Sequence, residues 1–311
     1  MAAMMQSIME TAKKNRRYCF YILYSNISDT NINLLKIQTA SYTLFSIDFV
    51  NVSEYFKNSQ LYISNHITTE SYFRLVIPYL FSAYQKVLYL DGDMICRTDI
   101  SELYNTDLEN HILAAVRDTD VARYYYPKDA GYMKSHNNVM LNLKNPNEYF
   151  NGGLILFNIK SFSEFIAFDD LLALAASRKW PVHDQDVLNY AAHGKTLLLP
   201  YHWNFLYSSR FNFLPEKFRA EYIDAQENPK IIHYKPWDGD NYIPFFEYFW
   251  RHAEKTPFID VIIDRMKTNG YISVDSLQQR VISNIIHRKG IGLKFILTDC
   301  IKAWVFRDKK K

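Results

Sequence analysis

Asp91 and Asp93 end the stretch "KVLYLDGD", two carboxylates one residue apart where an apolar run stops. In an extended segment alternate side chains point the same way, so both carboxylates face one place. Two like charges held together resist ionisation unless a positive charge sits between them. A hard divalent cation, Mn²⁺ or Mg²⁺, supplies that charge and keeps coordination positions free for further oxygen ligands such as a diphosphate. The plainer reading makes the pair turn or helix-cap carboxylates, although Asp99 with Ser101 could do that work just downstream. The same pattern recurs at Asp118 and Asp120, Asp184 and Asp186, and Asp238 and Asp240. Position separates the four. Ligands of open α/β sheets bind beyond the carboxyl ends of strands, and Asp91 follows such an end.

The elements that would position these residues are short apolar runs alternating with helical patterns. Residues 18–23, 45–50, 87–90, 113–116, 153–158, 196–199 and 231–234 read as strands, and their continuous apolarity implies burial on both faces. Thr68 or Thr69 would cap a helix to about Tyr84. Ser161 with Glu164 forms a capping-box pair for a helix to about Arg178, and Asp184 would cap one that stops at Gly194. This alternation predicts an α/β fold with a mostly parallel sheet. From about Phe245 onward the pattern is helical without strands, which divides the chain into residues 1–244 and a helical region at 245–311.

The 311 residues are 48% hydrophobic and 22% charged, enough for a large buried core. A net charge of +3 gives no footprint for nucleic acid. Cys19, Cys96 and Cys300 stand far apart without a paired spacing, so a reducing cytoplasm is the expectation. The first residues lack the order of a signal peptide, and no apolar stretch is long enough to span a bilayer. Near the end, Leu293, Leu297, Ile301 and Trp304 share a helical face amid Lys294, Lys302, Arg307 and Lys309–Lys311. That end suits either a docked helix with a basic tail or peripheral attachment to an anionic membrane, here the inner face of the cell membrane.

One other chemistry uses Asp-x-Asp after an apolar strand: aspartyl-phosphate phosphatases, with the first Asp as nucleophile. Their pattern continues with Thr or Val where this chain has Ile95, and it lies nearer the chain start.

Six blocks, in order, resemble glycosyltransferase family 8, the group of glycogenin and bacterial lipopolysaccharide galactosyl- and glucosyltransferases. They are "TTESYFRLVIPYLFSAYQKVLYLDGDMICRTDISELY", "LAAVRD", "YFNGGLILFNIKSF", "HDQDVLNYAAHGK", "LLLPYHWNF" and "IIHYKPW", within about residues 5–238. The resemblance implies a GT-A fold, a UDP-glucose or UDP-galactose donor, an oligosaccharide or lipid-linked glycan acceptor, and transfer with retention at the anomeric carbon. It implies Mn²⁺ held by Asp91, Asp93 and His233, and donor contacts from Arg74, Gly92, Asn151, Gly153 and Lys235. Asp184 and Gln185 would hold the sugar at its reactive face, and Asp118 would be a further acceptor or sugar contact. On their own types these residues have plainer roles. Arg74 would be an ion-pair residue, Gly152-Gly153 a strand-entry turn and Asp184 a helix cap.

Two departures from the family stand out. The chain opens in what the resemblance makes the first helix, so the family's first, nucleotide-gripping strand would be missing, leaving an impaired scaffold as the competing expectation. His233 and Lys235 are also only two residues apart, which shortens a loop that is longer and contains a Gly in the family.

Overall fold

A computed structural model describes residues 1–64, 68–234 and 245–268. Nine strands fall in three sheets. Strands β1 (Tyr18–Tyr24) and β2 (Phe45–Asn51) form a parallel pair. Strands β3 (Lys86–Leu90), β5 (Leu113–Arg117), β6 (Phe150–Asn158) and β7 (Thr196–Leu199) form the central sheet in the order β3-β6-β5-β7. A small third sheet, ordered β4-β9-β8, joins Met94–Cys96, Ile231–His233 and Phe205–Leu206. Among the described residues no strand bridges the β1–β2 pair to the central sheet.

The apolar runs are continuous because both sheet faces are covered. Along β6, Ile155 and Phe157 enter one core cluster while Leu154 and Leu156 enter another. Strand β5 divides the same way, with Leu113 and Ala115 on one side and Ala114 and Val116 on the other. A helix at Ala2–Thr11 covers one face, burying Met4, Met5, Ile8 and Met9. A helix at His183–Ala191 lies on the opposite face through Val187 and Leu188.

The central sheet corrects the expectation of mostly parallel pairing. Strand β6 runs antiparallel to both β3 and β5, and only β5–β7 is parallel within it. Apolar continuity reports two covered faces and carries no information on strand direction. Three helix expectations also shift. The segment from Thr69 is a 3₁₀ helix to Val76 followed by one α-helical turn at Ile77–Leu80. Pro78 has no N–H to bond the carbonyl of Arg74, so a regular α-helix cannot run through it. Residues 161–178 form two helices, Ile159–Phe165 and Phe168–Ala176, and the first is capped by Asn158, which accepts from the Ser161 N–H at 3.3 Å. Asp184 lies inside the first turn of its helix, with Val182 at the cap position. Strands β4 and β8, three and two residues long, are not among the strands that the apolar runs predict.

After Phe245 the described chain is helical, at Phe246–Ala253 and Ile259–Thr268. Glu10 ties this region to the first helix through His252 Nδ1 and Lys255 Nζ, each at 3.0 Å. Among the described residues no helix is long and apolar enough to cross a membrane. The amphipathic pattern at 293–311 lies outside the described residues.

Phe157 is fully buried with its ring 5.4 Å from Phe162. Phe157→Ala should destabilise the fold by roughly 3–5 kcal/mol through lost burial and a residual cavity. Denaturant unfolding measures this directly.

Candidate active site

The site forms where the central sheet meets the small one. Strand β3 ends at Leu90, but its pairing continues one step as the Asp91 N–H donates to Gly153 O at 2.8 Å. The chain turns through exposed Gly92 and enters β4. Strand β4 pairs antiparallel with β9 so that Met94 faces His233, and the Tyr234 N–H donates to Asp93 O at 3.0 Å. This register brings His233 Nε2 to 3.3 Å from Asp93 Oδ1 and 4.0 Å from Asp91 Oδ2. One donor atom from each of the three residues lies within 4.8 Å of the others.

The group fits a divalent cation by chemistry and by shape. His233 Nδ1 is 2.9 Å from Asn204 Oδ1, so Nδ1 carries the proton and Nε2 is aimed at the carboxylates. That is how a ligating imidazole is usually oriented from behind. Asp93 Oδ1 is buried and makes no hydrogen bond. Space is kept open by Gly153. A Cβ there would lie 2.5 Å from His233 Cε1 and 2.9 Å from Asp91 Oδ2. Burial pushes His233 toward neutrality, yet its 3.3 Å pairing with Asp93 and the nearby charge of Asp91 carry its pKa above the ordinary value. Burial would raise Asp93, and His233 holds it below the usual carboxylate range.

Arg74 is the buried cation beside this group. Its Nη2 is 3.2 Å from Asp91 Oδ1 and its Nε is 2.8 Å from Asp184 Oδ2. The Nε hydrogen is aimed at Ser71 O, 3.1 Å away, and Nη1 donates to Gly152 O. The guanidinium also lies 4.7 Å over the Tyr89 ring, whose hydroxyl donates to Asp91 Oδ1 at 2.5 Å. Asp184 Oδ2 is thus charge-paired but accepts no hydrogen bond. Burial pushes the Asp184 pKa up to about 6, against the pull of Arg74.

Gln185 is held on every side. Its Oε1 accepts from the Gly152 N–H at 2.8 Å. Its Nε2 donates to Asp118 Oδ2 at 2.9 Å and to the Tyr149 hydroxyl at 3.0 Å. The preceding His183 has a left-handed backbone, φ 52°, which turns the chain sharply into the helix and presents Asp184 and Gln185 together.

A cavity of about 300 Å³ opens here, lined by Thr68, Ser71, Arg74, Asp91, Asn151, Gly153, Val182, Asp184 and Gln185. Six of the nine, Arg74, Asp91, Asn151, Gly153, Asp184 and Gln185, are the site residues that the sequence singles out. Asp118 is buried behind the cavity wall, where it holds Asn151 Nδ2 at 3.1 Å as well as Gln185. Lys235 lies outside the described residues. Sequence reasoning missed Asn204, whose Nδ2 donates to Asn151 Oδ1 at 2.9 Å. The "LLLPYHWNF" block contains it, but nothing local says that its amide meets His233. Tyr149, Asp186 and His136 were missed for the same reason. The phosphatase expectation needs a free Asp91 nucleophile, whereas Asp91 Oδ1 is engaged by both Arg74 and Tyr89.

The structure resembles solved glycosyltransferases. A WbbM bifunctional glycosyltransferase matches with a TM-score of 0.72 and 27% identity, over 85% of this chain and 49% of that one. The galactosyltransferase LgtC, solved with donor and acceptor sugar analogues, matches in fold with a TM-score of 0.65 at 23% identity, over 82% of this chain and 91% of that one. The architecture is GT-A, that of nucleotide-sugar transferases. By sequence, the chain belongs to glycosyltransferase family 8, whose model matches residues 1–241. A lipopolysaccharide 1,2-glucosyltransferase of Escherichia coli (strain K12) is 29% identical over 61% of this chain and 55% of its own length. General stress protein A of Bacillus subtilis (strain 168) is 25% identical over 82% of this chain and 89% of its own. This chain therefore spans only about half the length of some relatives.

Gly153→Ala should abolish any divalent-cation binding by this group, because the added methyl would displace His233 and Asp91. Titration calorimetry reports it. Binding in the unmodified chain should weaken as pH falls. The proton that Asp93 and Asp91 help His233 retain must leave before Nε2 can ligate, so affinity rises with pH and levels off above the elevated His233 pKa.

Proposed function

We propose that this chain is a retaining, Mn²⁺-dependent hexosyltransferase that moves glucose or galactose from a UDP-sugar to a glycan acceptor. The acceptor would be an oligosaccharide or lipid-linked glycan of the cell surface, as in lipopolysaccharide synthesis. The observation that carries the reading is the convergence of Asp91, Asp93 and His233 at one edge of a cavity walled by Arg74, Asn151, Gly153, Asp184 and Gln185. The glucosyltransferase named among its relatives supports the sugar class.

A bound Mn²⁺ would offset the charge of the departing diphosphate. The chain's own residues do the rest. Arg74 pairs with the Asp91 carboxylate and, against burial, favours the charged form of Asp184. Asp184 lines the cavity beside Arg74, where its carboxylate would accept from a sugar hydroxyl. Asn151 and Gly153 border the donor, and Lys235 would meet its phosphates. The C1–phosphate bond breaks as the acceptor hydroxyl attacks from the same face, and that hydroxyl's proton passes to the leaving phosphate oxygen. Gln185 is a poor nucleophile, which favours this route over a covalent intermediate. A glycosyl adduct trapped on Gln185 or Asp184 would overturn that choice.

The test is UDP release from a panel of UDP-sugars with and without Mn²⁺. One donor should turn over only with metal, and Asp93→Ala should lower the rate by about 100-fold or more. A chain that binds UDP and Mn²⁺ yet turns over no donor would instead be a glycan-binding scaffold.

A further inference from the structure

The Gln185 amide could face the cavity in either of two orientations, oxygen first or nitrogen first. Its hydrogen bonds select one. Both Nε2 hydrogens are committed, one to Asp118 and one to Tyr149, and Oε1 is turned to the Gly152 N–H. Gly152 lies beside Arg74 and between Asn151 and Gly153, which line the cavity together with Gln185 itself.

The Tyr149 hydroxyl is itself polarised. It accepts from Gln185 and donates to Asp186 Oδ1 at 2.7 Å. Asp186 is completely buried, and its Oδ2 accepts from the Val182 N–H at 2.8 Å and from His136 Nε2 at 2.9 Å. His136, also buried, sits on a π-helical turn at Ser135–Met140 that continues the helix Ala130–Lys134. Its Nδ1 meets the Asn137 side-chain amide at 3.1 Å. A π-turn costs backbone geometry and is often kept where one side chain must be aimed. Here the side chain that it aims is not among the cavity-lining residues, and it connects to Gln185 through Asp186 and Tyr149.

We infer that Tyr149, Asp186 and His136 are positioning residues, a buried hydrogen-bond chain that holds the Gln185 amide with its oxygen toward the donor sugar. The inference rests on the transferase reading above. In that reading positive charge develops at the anomeric carbon, where an amide oxygen is favourable and an amide NH₂ is not. Asp186 accepts from Tyr149, so the hydroxyl hydrogen is engaged and its lone pair must face Gln185. That lone pair can take an N–H but would repel the amide oxygen. The direction of the whole chain is therefore set at the Asp186 carboxylate.

The experiment compares Tyr149→Phe, His136→Leu and His136→Gln with the unmodified chain. Glutamine at 136 can still donate to Asp186, and leucine cannot. Two readouts are taken: steady-state UDP release, and solvent exchange of the Gln185 side-chain NH₂ by NMR, its signal identified by its loss in Gln185→Glu. Tyr149→Phe and His136→Leu should lower kcat by about 10- to 100-fold with the donor KM little changed. The NH₂ should exchange about tenfold faster in both, and His136→Gln should restore both quantities. Unchanged exchange in Tyr149→Phe and His136→Leu overturns the inference whatever happens to kcat. So does faster exchange with kcat within twofold. If the unmodified chain turns over no UDP-sugar, the transferase reading fails by itself, and the exchange rates alone decide whether the chain holds the amide.

Discussion

A buried guanidinium beside several carboxylates is the constraint around which the rest is arranged. Arg74 is 7% exposed and cannot lose its proton in practice. An unpaired charge at such a depth costs several kcal/mol, so its partners must be fixed and close. Asp91 and Asp184 are those partners, and they come from different elements. The ion pairs therefore hold the end of β3 and the start of the His183–Ala191 helix at a set separation. With that distance fixed, Gly152 and Gly153 can pass between them, and Gln185 can reach the Gly152 backbone. Remove the cation and the acids would repel. Remove the acids and the cation would be stranded.

How far the sequence reveals this depends on the range of the interactions. Strand positions were legible because both faces of β5 and β6 are buried, which leaves an unbroken apolar signature. The cavity residues were legible because ligands gather at strand ends and because the blocks resemble a known family. Direction of pairing was not legible, since antiparallel β6 has the same composition as a parallel strand. The helix caps moved by a few residues because Asn, Ser and Asp compete for the same backbone donors. Asp184 illustrates the limit well. Its type and place suit a cap, but a buried cation contributed by a segment far away in sequence claims its carboxylate.

The residues that escaped sequence reasoning act through one another. Asn204 fixes the tautomer of His233, and Asp186 fixes the hydroxyl of Tyr149. Each is an ordinary polar residue whose meaning appears only when its partner is seen. Such networks work at full strength only when every member is satisfied, because the low dielectric that strengthens each bond also penalises each vacancy. Asn151 joins the two halves. It accepts from Asn204 and from Gly153 and donates to Asp118. The Asp91, Asp93 and His233 group and the Gln185 amide thus share one hydrogen-bonded frame.

The pairing of β4 with β9 has a consequence for how the molecule comes into being. Asp91 and Asp93 leave the ribosome more than a hundred residues before His233. The loop that this pairing closes is among the longest in the described chain, and contacts of that span form slowly. A growing chain therefore exposes a pair of acids without the imidazole that completes the set. The group of Asp91, Asp93 and His233 is therefore whole only once β9 has been made, so a chain halted before β9 would have all four strands of the central sheet and an incomplete centre.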